Sequence, residues 1–189
     1  MSDLTDIDRN FLLVLARTTI EARLRSQNSI DKPEEISSAL QEKRGCFVTL
    51  HKRGVLRGCI GTIEPQKSLL EGVEENAINA AFGDPRFPEM TEDESEEIEI
   101  EVSVLTMPRI LEYKDADDLK AKLRPGIHGV ILSRGWQRST FLPQVWDQLP
   151  NVEDFLGHLC KKAGMERRCW MDTNTVIRVY EAEYFSEER

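Results

Sequence analysis

Cys59 stands between two glycines in the stretch Leu56-Arg57-Gly58-Cys59-Ile60-Gly61, and a thiol in such a place can do nucleophilic chemistry. A thiolate attacks carbonyl and other electrophilic carbons, and a neighbouring cation lowers the pKa of the thiol. Arg57 lies two residues away, which in a strand is the same face. Glycine inside a strand costs stability and marks a bulge or a close approach by a ligand or another backbone. Gly58 and Gly61 therefore read as part of a site as much as of a scaffold. The competing reading is packing: free cysteine is among the most buried residue types and fits where glycines bring backbones together.

Other side chains offer partners. His128, between Ile127 and Gly129, is a candidate general acid or base, or else a histidine that satisfies a backbone carbonyl at a strand start. Asp84 and Arg86 flank Pro85 in the stiff loop Asp84-Pro85-Arg86-Phe87-Pro88. A carboxylate there can move a proton or accept hydrogen bonds, and a guanidinium can grip a carboxylate or phosphate with two parallel bonds. Equally, the two can tie each other and fasten the loop to the preceding helix end. Arg57 carries the same pair of readings. Gln144, after Pro143, can donate to a ligand or cap a turn. His51 is expected to be exposed at a hairpin loop, His158 to pack on a helix, and Trp136, Trp146 and Trp170 to pack. Around Gly58 and Gly61 there is no phosphate-loop pattern with its lysine, and no dinucleotide fingerprint. Cys46, Cys59, Cys160 and Cys169 show no CxxC spacing and the histidines are scattered, so no metal and no cofactor is expected.

The elements that must position these groups follow from periodicity. A strand-like run, Cys46-Phe47-Val48-Thr49-Leu50, precedes the cysteine stretch across His51-Lys52-Arg53-Gly54. A three-residue loop with Gly54 left-handed pairs His51 with Val55, Thr49 with Arg57, and Phe47 with Cys59. Arg57, Cys59, Thr49, His51 and Phe47 then share one face, and Leu56, Ile60, Val48, Leu50 and Cys46 share the core face. A two-residue loop would slip the register by one and mix the sets. No disulfide between Cys46 and Cys59 is expected.

Before the hairpin, Thr5 caps a helix with Asp6 and Asp8 in its first turn, and Ile7, Phe11, Val14, Leu15, Ile20 and Leu24 recur at helical spacing. Residues 26–32 are polar and loop-like. Pro33 opens a short helix that Gly45 ends. After the hairpin, Ser68 caps a helix to Phe82, and Thr91 with Glu94 has capping-box spacing. Residues 97–105 alternate strictly, with Ile98, Ile100, Val102 and Val104 inward and Glu97, Glu99 and Glu101 on a solvated face. A small helix over 115–123, two strands joined through Arg134-Gly135-Trp136, a helix capped by Asn151 and closed by Gly164, and a strand over 176–180 complete the chain. Strands and helices do not alternate as βαβ units, so the expected fold class is α+β with mostly antiparallel pairing.

At 189 residues and 40% hydrophobic, the chain suits one globular domain with a sizeable core. Its net charge of −9 argues against a general nucleic-acid binder. The first residues lack the basic-then-apolar pattern of a secretory signal, and the apolar run over 11–16 is too short for a bilayer, so a cytoplasmic protein with reduced thiols is expected.

Leu56 to Gly61 resembles the LRGCIG signature of the AMMECR family. Asp84-Pro85-Arg86-Phe87-Pro88, Val102-Ser103-Val104-Leu105, Gly126-Ile127-His128-Gly129, Phe141-Leu142-Pro143-Gln144-Val145 and Lys161-Lys162-Ala163-Gly164 are similar to that family's blocks, in its order, and cover most of the chain. The resemblance implies a single AMMECR-type domain over residues 1–189. It implies a larger lobe with both termini, a smaller middle lobe and a cleft between them, lined by the LRGCIG strand, the 84–88 loop and the 126–129 turn. The family's biochemical activity is not established. In microbes its members accompany a Memo-like protein and a radical-SAM enzyme, which are the partners the resemblance suggests. Two functions are carried forward. One is an enzyme acting on a small anionic or carbonyl-bearing metabolite or a partner protein, with Cys59 as nucleophile, His128 as acid–base, and Arg57 and Arg86 holding an anion. The other is a non-catalytic ligand-binding or adaptor protein using the same cleft.

Overall fold

Thr5 opens the first helix, α1 (Asp6–Leu24), with a capping box: its hydroxyl accepts the Asp8 N–H and the Asp8 carboxylate takes the Thr5 N–H at 2.9 Å. The structure, a computed structural model, describes residues 4–26 and 36–187. The helix start expected at Pro33 lies outside the described residues. α1 buries Leu12, Leu13, Leu15, Ala16, Thr19 and Ile20. The stripe anticipated from apolar spacing holds at Phe11, Leu15, Ile20 and Leu24 and fails at Ile7, 81% exposed, and Val14, 50%. Ala16 and Thr19, a small and a polar residue, sit on the packed face, where apolar counting does not look for them.

After the one-turn α2 (Ser38–Gln41) come β1 (Cys46–Lys52) and β2 (Val55–Thr62). The hairpin between them turns on two residues, not three. Arg53 and Gly54 both have positive φ, 53° and 75°, the conformation that two-residue hairpin loops require. Lys52 then pairs with Val55 and His51 with Leu56. Continued unbroken, that register would bring the core set of β2 to the wrong face. A bulge corrects it: Leu50 pairs with Gly58, leaving Arg57 as the extra residue. Beyond it Thr49 pairs with Cys59, Val48 with Ile60 and Phe47 with Gly61. The expected partners are displaced by two residues, which preserves the face of Cys59. Leu56, expected in the core, is instead 38% exposed.

Ser68 and Glu71 form a capping box at α3 (Leu69–Ile78), whose end widens into a π-turn over Asn79–Gly83 rather than continuing as α-helix. Thr91 and Glu94 form the box at a 3-10 turn, Glu92–Glu97, that leads into β3 (Ile98–Leu105). β3 pairs antiparallel with β1, so Cys46–Val104, Val48–Val102 and Leu50–Ile100 stand in rows on the core face, all fully buried. The opposite face carries Phe47–Ser103, Thr49–Glu101 and His51–Glu99.

The second sheet follows: β4 (Arg109–Ile110), α4 (Ala116–Lys122), β5 (Gly129–Arg134), β6 (Gln137–Phe141), α5 (Val152–Lys162) and β7 (Val176–Tyr180). β8 (Ala182–Ser186) returns to the first sheet. The strand orders are β2-β1-β3-β8 and β4-β7-β5-β6. The chain thus forms two units, residues 1–105 with 183–189, and residues 106–182. α1 and α3 supply the helical side of the first core, where the Asn76 amide donates to the Cys46 carbonyl at 3.1 Å. The second core joins Leu119, Val130, Leu132, Phe155, Leu159, Ile177 and Val179. The fold is mixed helix and strand, with antiparallel sheets flanked by helices, as the sequence predicts.

Three expectations fail in the second unit, the first at His158, which is exposed on α5 rather than packed. Cys160 and Cys169 form a disulfide, so the chain is not wholly reduced. Trp136 is 91% exposed at the β5–β6 hairpin tip, where a two-residue turn points its side chain away from both strands. No helix among the described residues is long and apolar enough to cross a membrane.

Candidate functional site

β2 is the outer strand of its sheet, and the 84–88 loop covers that edge. The Asp84 carboxylate accepts the Cys59 N–H at 2.9 Å, and Arg86 Nη2 donates to the Cys59 carbonyl at 3.1 Å. Together these side chains make the two bonds that a neighbouring strand would make, and so close an edge that would otherwise template association. They also hold each other. Arg86 donates Nε to Asp84 Oδ1 at 2.9 Å and Nη2 to Oδ2 at 2.6 Å, and its backbone N–H to Oδ1. The guanidinium, with the two backbone donors behind it, holds the Asp84 carboxyl far below the ordinary carboxylate range, although burial pushes the other way. The Arg86 pKa is raised, by its hydrogen bonds to Asp84 foremost. The Asp84 side chain is 2% exposed and that of Arg86 54%.

The bulge sends Arg57 elsewhere. Its Nε and Nη2 grip Glu94 at 3.1 and 2.9 Å, and Nη2 also donates to the Pro88 carbonyl. Its Nη1 is buried without a partner among the described residues. Arg57, and then Lys52 and the Thr91 N–H, push the Glu94 carboxyl down to about 2. The Phe87 ring lies 5.9 Å from the Arg57 guanidinium carbon and 5.5 Å from that of Arg86. Sequence reasoning missed Glu94 as the partner of Arg57. Its capping-box position fixed the carboxylate in space, but only the bulge aims the arginine at it.

The glycines have steric causes. A Cβ on Gly58 would meet the Ala80 carbonyl oxygen at 2.2 Å, because the π-turn presses against β2, and one on Gly61 would enter the Phe47 ring at the same distance. Between them Cys59 is half-buried, and the Thr49 hydroxyl donates to its sulfur at 3.3 Å. Glu101 occupies the next place on that rung. Expected on a solvated face, it is half-buried, and burial raises its pKa; the nearby charge of His51 lowers it and that of Glu99 adds to the rise.

Gly58, Cys59, Gly61, Arg57, Asp84 and Arg86 thus belong to the first unit, and His128 and Gln144 to the second. His128 is 2% exposed. The backbone N–H of Arg124 points at Nδ1 at 3.2 Å and its Nε at Nε2 at 3.1 Å, while Trp146 Nε1 donates to the His128 carbonyl. Burial, with Arg124 behind it, lowers the His128 pKa, and an uncharged imidazole accepts from Arg124 at only one of these nitrogens and carries its proton on the other. Gln144 is exposed on the 3-10 turn Pro143–Asp147. The second unit also has a groove of about 720 Å³ between α4, α5 and residues 167–171. Its cations are largely matched: Lys120 pairs with Asp117 and Glu153, and Arg167 with Asp154. Among the described residues no group of three or more histidines, cysteines or carboxylates could hold a metal ion.

Comparison with known proteins gives these parts a family. The AMMECR1 family model matches residues 13–185. A protein of Methanothermobacter thermautotrophicus is 42% identical over 182 residues, covering 94% of this chain and 93% of its own. A protein of Methanopyrus kandleri is 45% identical, covering 98% and 91%. The crystal structure of an uncharacterised protein from Pyrococcus horikoshii matches with a TM-score of 0.85 at 37% identity, covering 98% of this chain and 94% of that one. A match running from residue 13 to residue 185, with relatives this similar over nearly the whole chain, makes this protein a member of the AMMECR1 family.

Proposed function

We propose that the protein acts through the Cys59 thiol on the face of the first sheet that is turned away from α1 and α3, as a thiol-dependent enzyme on a small carbonyl-bearing or anionic metabolite or a partner protein. The observation that carries this reading is the clamp on Cys59. Its N–H and carbonyl are both held by the Asp84–Arg86 pair, and its sulfur takes a hydroxyl hydrogen bond, so a half-buried thiol is presented in one fixed place. Preorganisation of this kind suits a reacting atom. Arg86, with half its side chain exposed, is the cation placed to meet an anionic group; Arg57 is committed to Glu94.

The test is alkylation of the folded protein by iodoacetamide as a function of pH, read cysteine by cysteine by mass spectrometry. Cys59 should be alkylated in the folded protein, faster as the pH rises. Cys46, buried with its thiol pushed up to about 11, should stay unlabelled. Cys59→Ser should fold and lose turnover. A second reading, non-catalytic ligand or partner binding on the same face, draws on the fact that Arg57 and Asp84 spend their hydrogen bonds internally and that no histidine hydrogen-bonds the sulfur among the described residues. A Cys59 that resists alkylation would decide for it.

A further inference from the structure

Cys59, Thr49 and Glu101 form one rung across three strands. Cys59 pairs with Thr49 and Thr49 with Glu101, so all three side chains leave the same face. Thr49 Oγ1 is 3.3 Å from the sulfur. Two strand spacings separate the outer members, about 10 Å. Glu94, Glu97, Glu183 and Glu187 of the first unit all sit in ion pairs, whereas Glu101 makes none among the described residues. The charged groups acting on it are His51, on the adjoining rung of β1, and Glu99, two residues away on its own strand. At the outer edge of the rung the Arg86 guanidinium, paired with Asp84, donates to the Cys59 carbonyl.

Resting on the reading of Cys59 as the reacting atom, we propose that Thr49 and Glu101 are positioning residues of that site, Thr49 steadying the thiolate through its hydroxyl and Glu101 acting as an electrostatic brake that keeps the thiol protonated. The step concerned moves one proton: Cys59 S–H gives its proton to solvent and leaves a thiolate, which Thr49 stabilises and an ionised Glu101 opposes. A carboxylate about 10 Å away at an effective dielectric near 20 disfavours the thiolate by about tenfold. A substrate that brings a hydrogen-bond donor or a cation to Glu101 releases the brake as its electrophilic carbon reaches the sulfur. Specificity for molecules carrying both groups about one rung apart follows.

The experiment is iodoacetamide labelling of Cys59 in the full chain against pH, for the wild-type protein, E101Q, T49V and T49S, each first checked for native circular dichroism. Glu101→Gln should lower the labelling midpoint and speed labelling at neutral pH by about tenfold, an effect that weakens with added salt. Thr49→Val should raise the midpoint and slow labelling several-fold. Thr49→Ser, which keeps the hydroxyl, should follow the wild type and guards against a packing effect of the valine. Profiles for E101Q and T49V that superimpose on the wild type, with Cys59 reactive in all, overturn this proposal and leave the thiol reading standing. A Cys59 inert in the wild-type chain overturns both.

Discussion

Asp84 shows how much one carboxylate can organise. It is nearly unexposed, accepts from both backbone and guanidinium, and holds the strand that carries Cys59. Replacing it with asparagine weakens the charged hydrogen bonds to a half-exposed Arg86, which should cost about 1–2 kcal/mol at neutral pH. The pH dependence has a definite sign. The folded pKa of Asp84 is depressed, so its stabilisation is complete above about pH 4 and fades as the solution becomes more acid. The penalty of Asp84→Asn, measured by urea unfolding, should therefore shrink below pH 4. Glu94, pushed down to about 2 by Arg57, contributes to the same acid-side loss. If the penalty were equal at pH 7 and pH 3, the clamp would not owe its strength to charge. The strand face of Cys59 is legible in the sequence because parity survives a displacement of two residues. The burial of Arg57 is not, since one inserted residue turns a side chain out of its row.

At the scale of elements, β2 is shaped by what presses on it. The π-turn Asn79–Gly83 puts the Ala80 carbonyl where the Cβ of any other residue at 58 would be. Gly58→Ala must move backbone against backbone, and a loss of about 2–3 kcal/mol or more in unfolding free energy is expected. Unchanged stability would mean the π-turn yields easily. Glycine in the strand is thus accounted for by a neighbouring backbone, one of the two causes the sequence offered. The caps at Thr5, Ser68, Thr91 and Asn151 are all where the residue types place them, because a cap is decided within four residues. The turn, the bulge and the π-turn depend on partners distant in the chain, and local spacing carries no trace of them. The solvated face assigned to Glu99 and Glu101 fails for a related reason: alternation fixes which face a residue occupies and says nothing of how open that face is.

Over the whole molecule, the two units hold themselves together by different means. The first relies on buried β-branched rows and on Arg17, which reaches the Ser95 and Ile98 carbonyls and Glu187. The second carries the Cys160–Cys169 bridge, which joins the end of α5 to the 3-10 turn Cys169–Met171. Closing a loop of this length should contribute about 2.5–3 kcal/mol. In the double variant C160A/C169A, hydrogen exchange should quicken in α5, β5 and β7 while β1 and β3 keep their protection. Equal loss in both would show that the units unfold as one. The second unit is also an insertion in the first, leaving after Leu105 and returning at Glu183. Its own ends are tied: the Thr106 N–H donates to the Glu181 carbonyl at 2.9 Å, and the Glu181 N–H to the Thr106 hydroxyl. During synthesis α1 emerges first, yet its partners Glu183 and Glu187 come last. Folding of residues 106–182 converts a long, costly loop closure into a short one, delivering β8 to β3 ready to pair. Ribosome-bound chains that stop before residue 183 should hold a formed second unit and a waiting, incomplete first sheet.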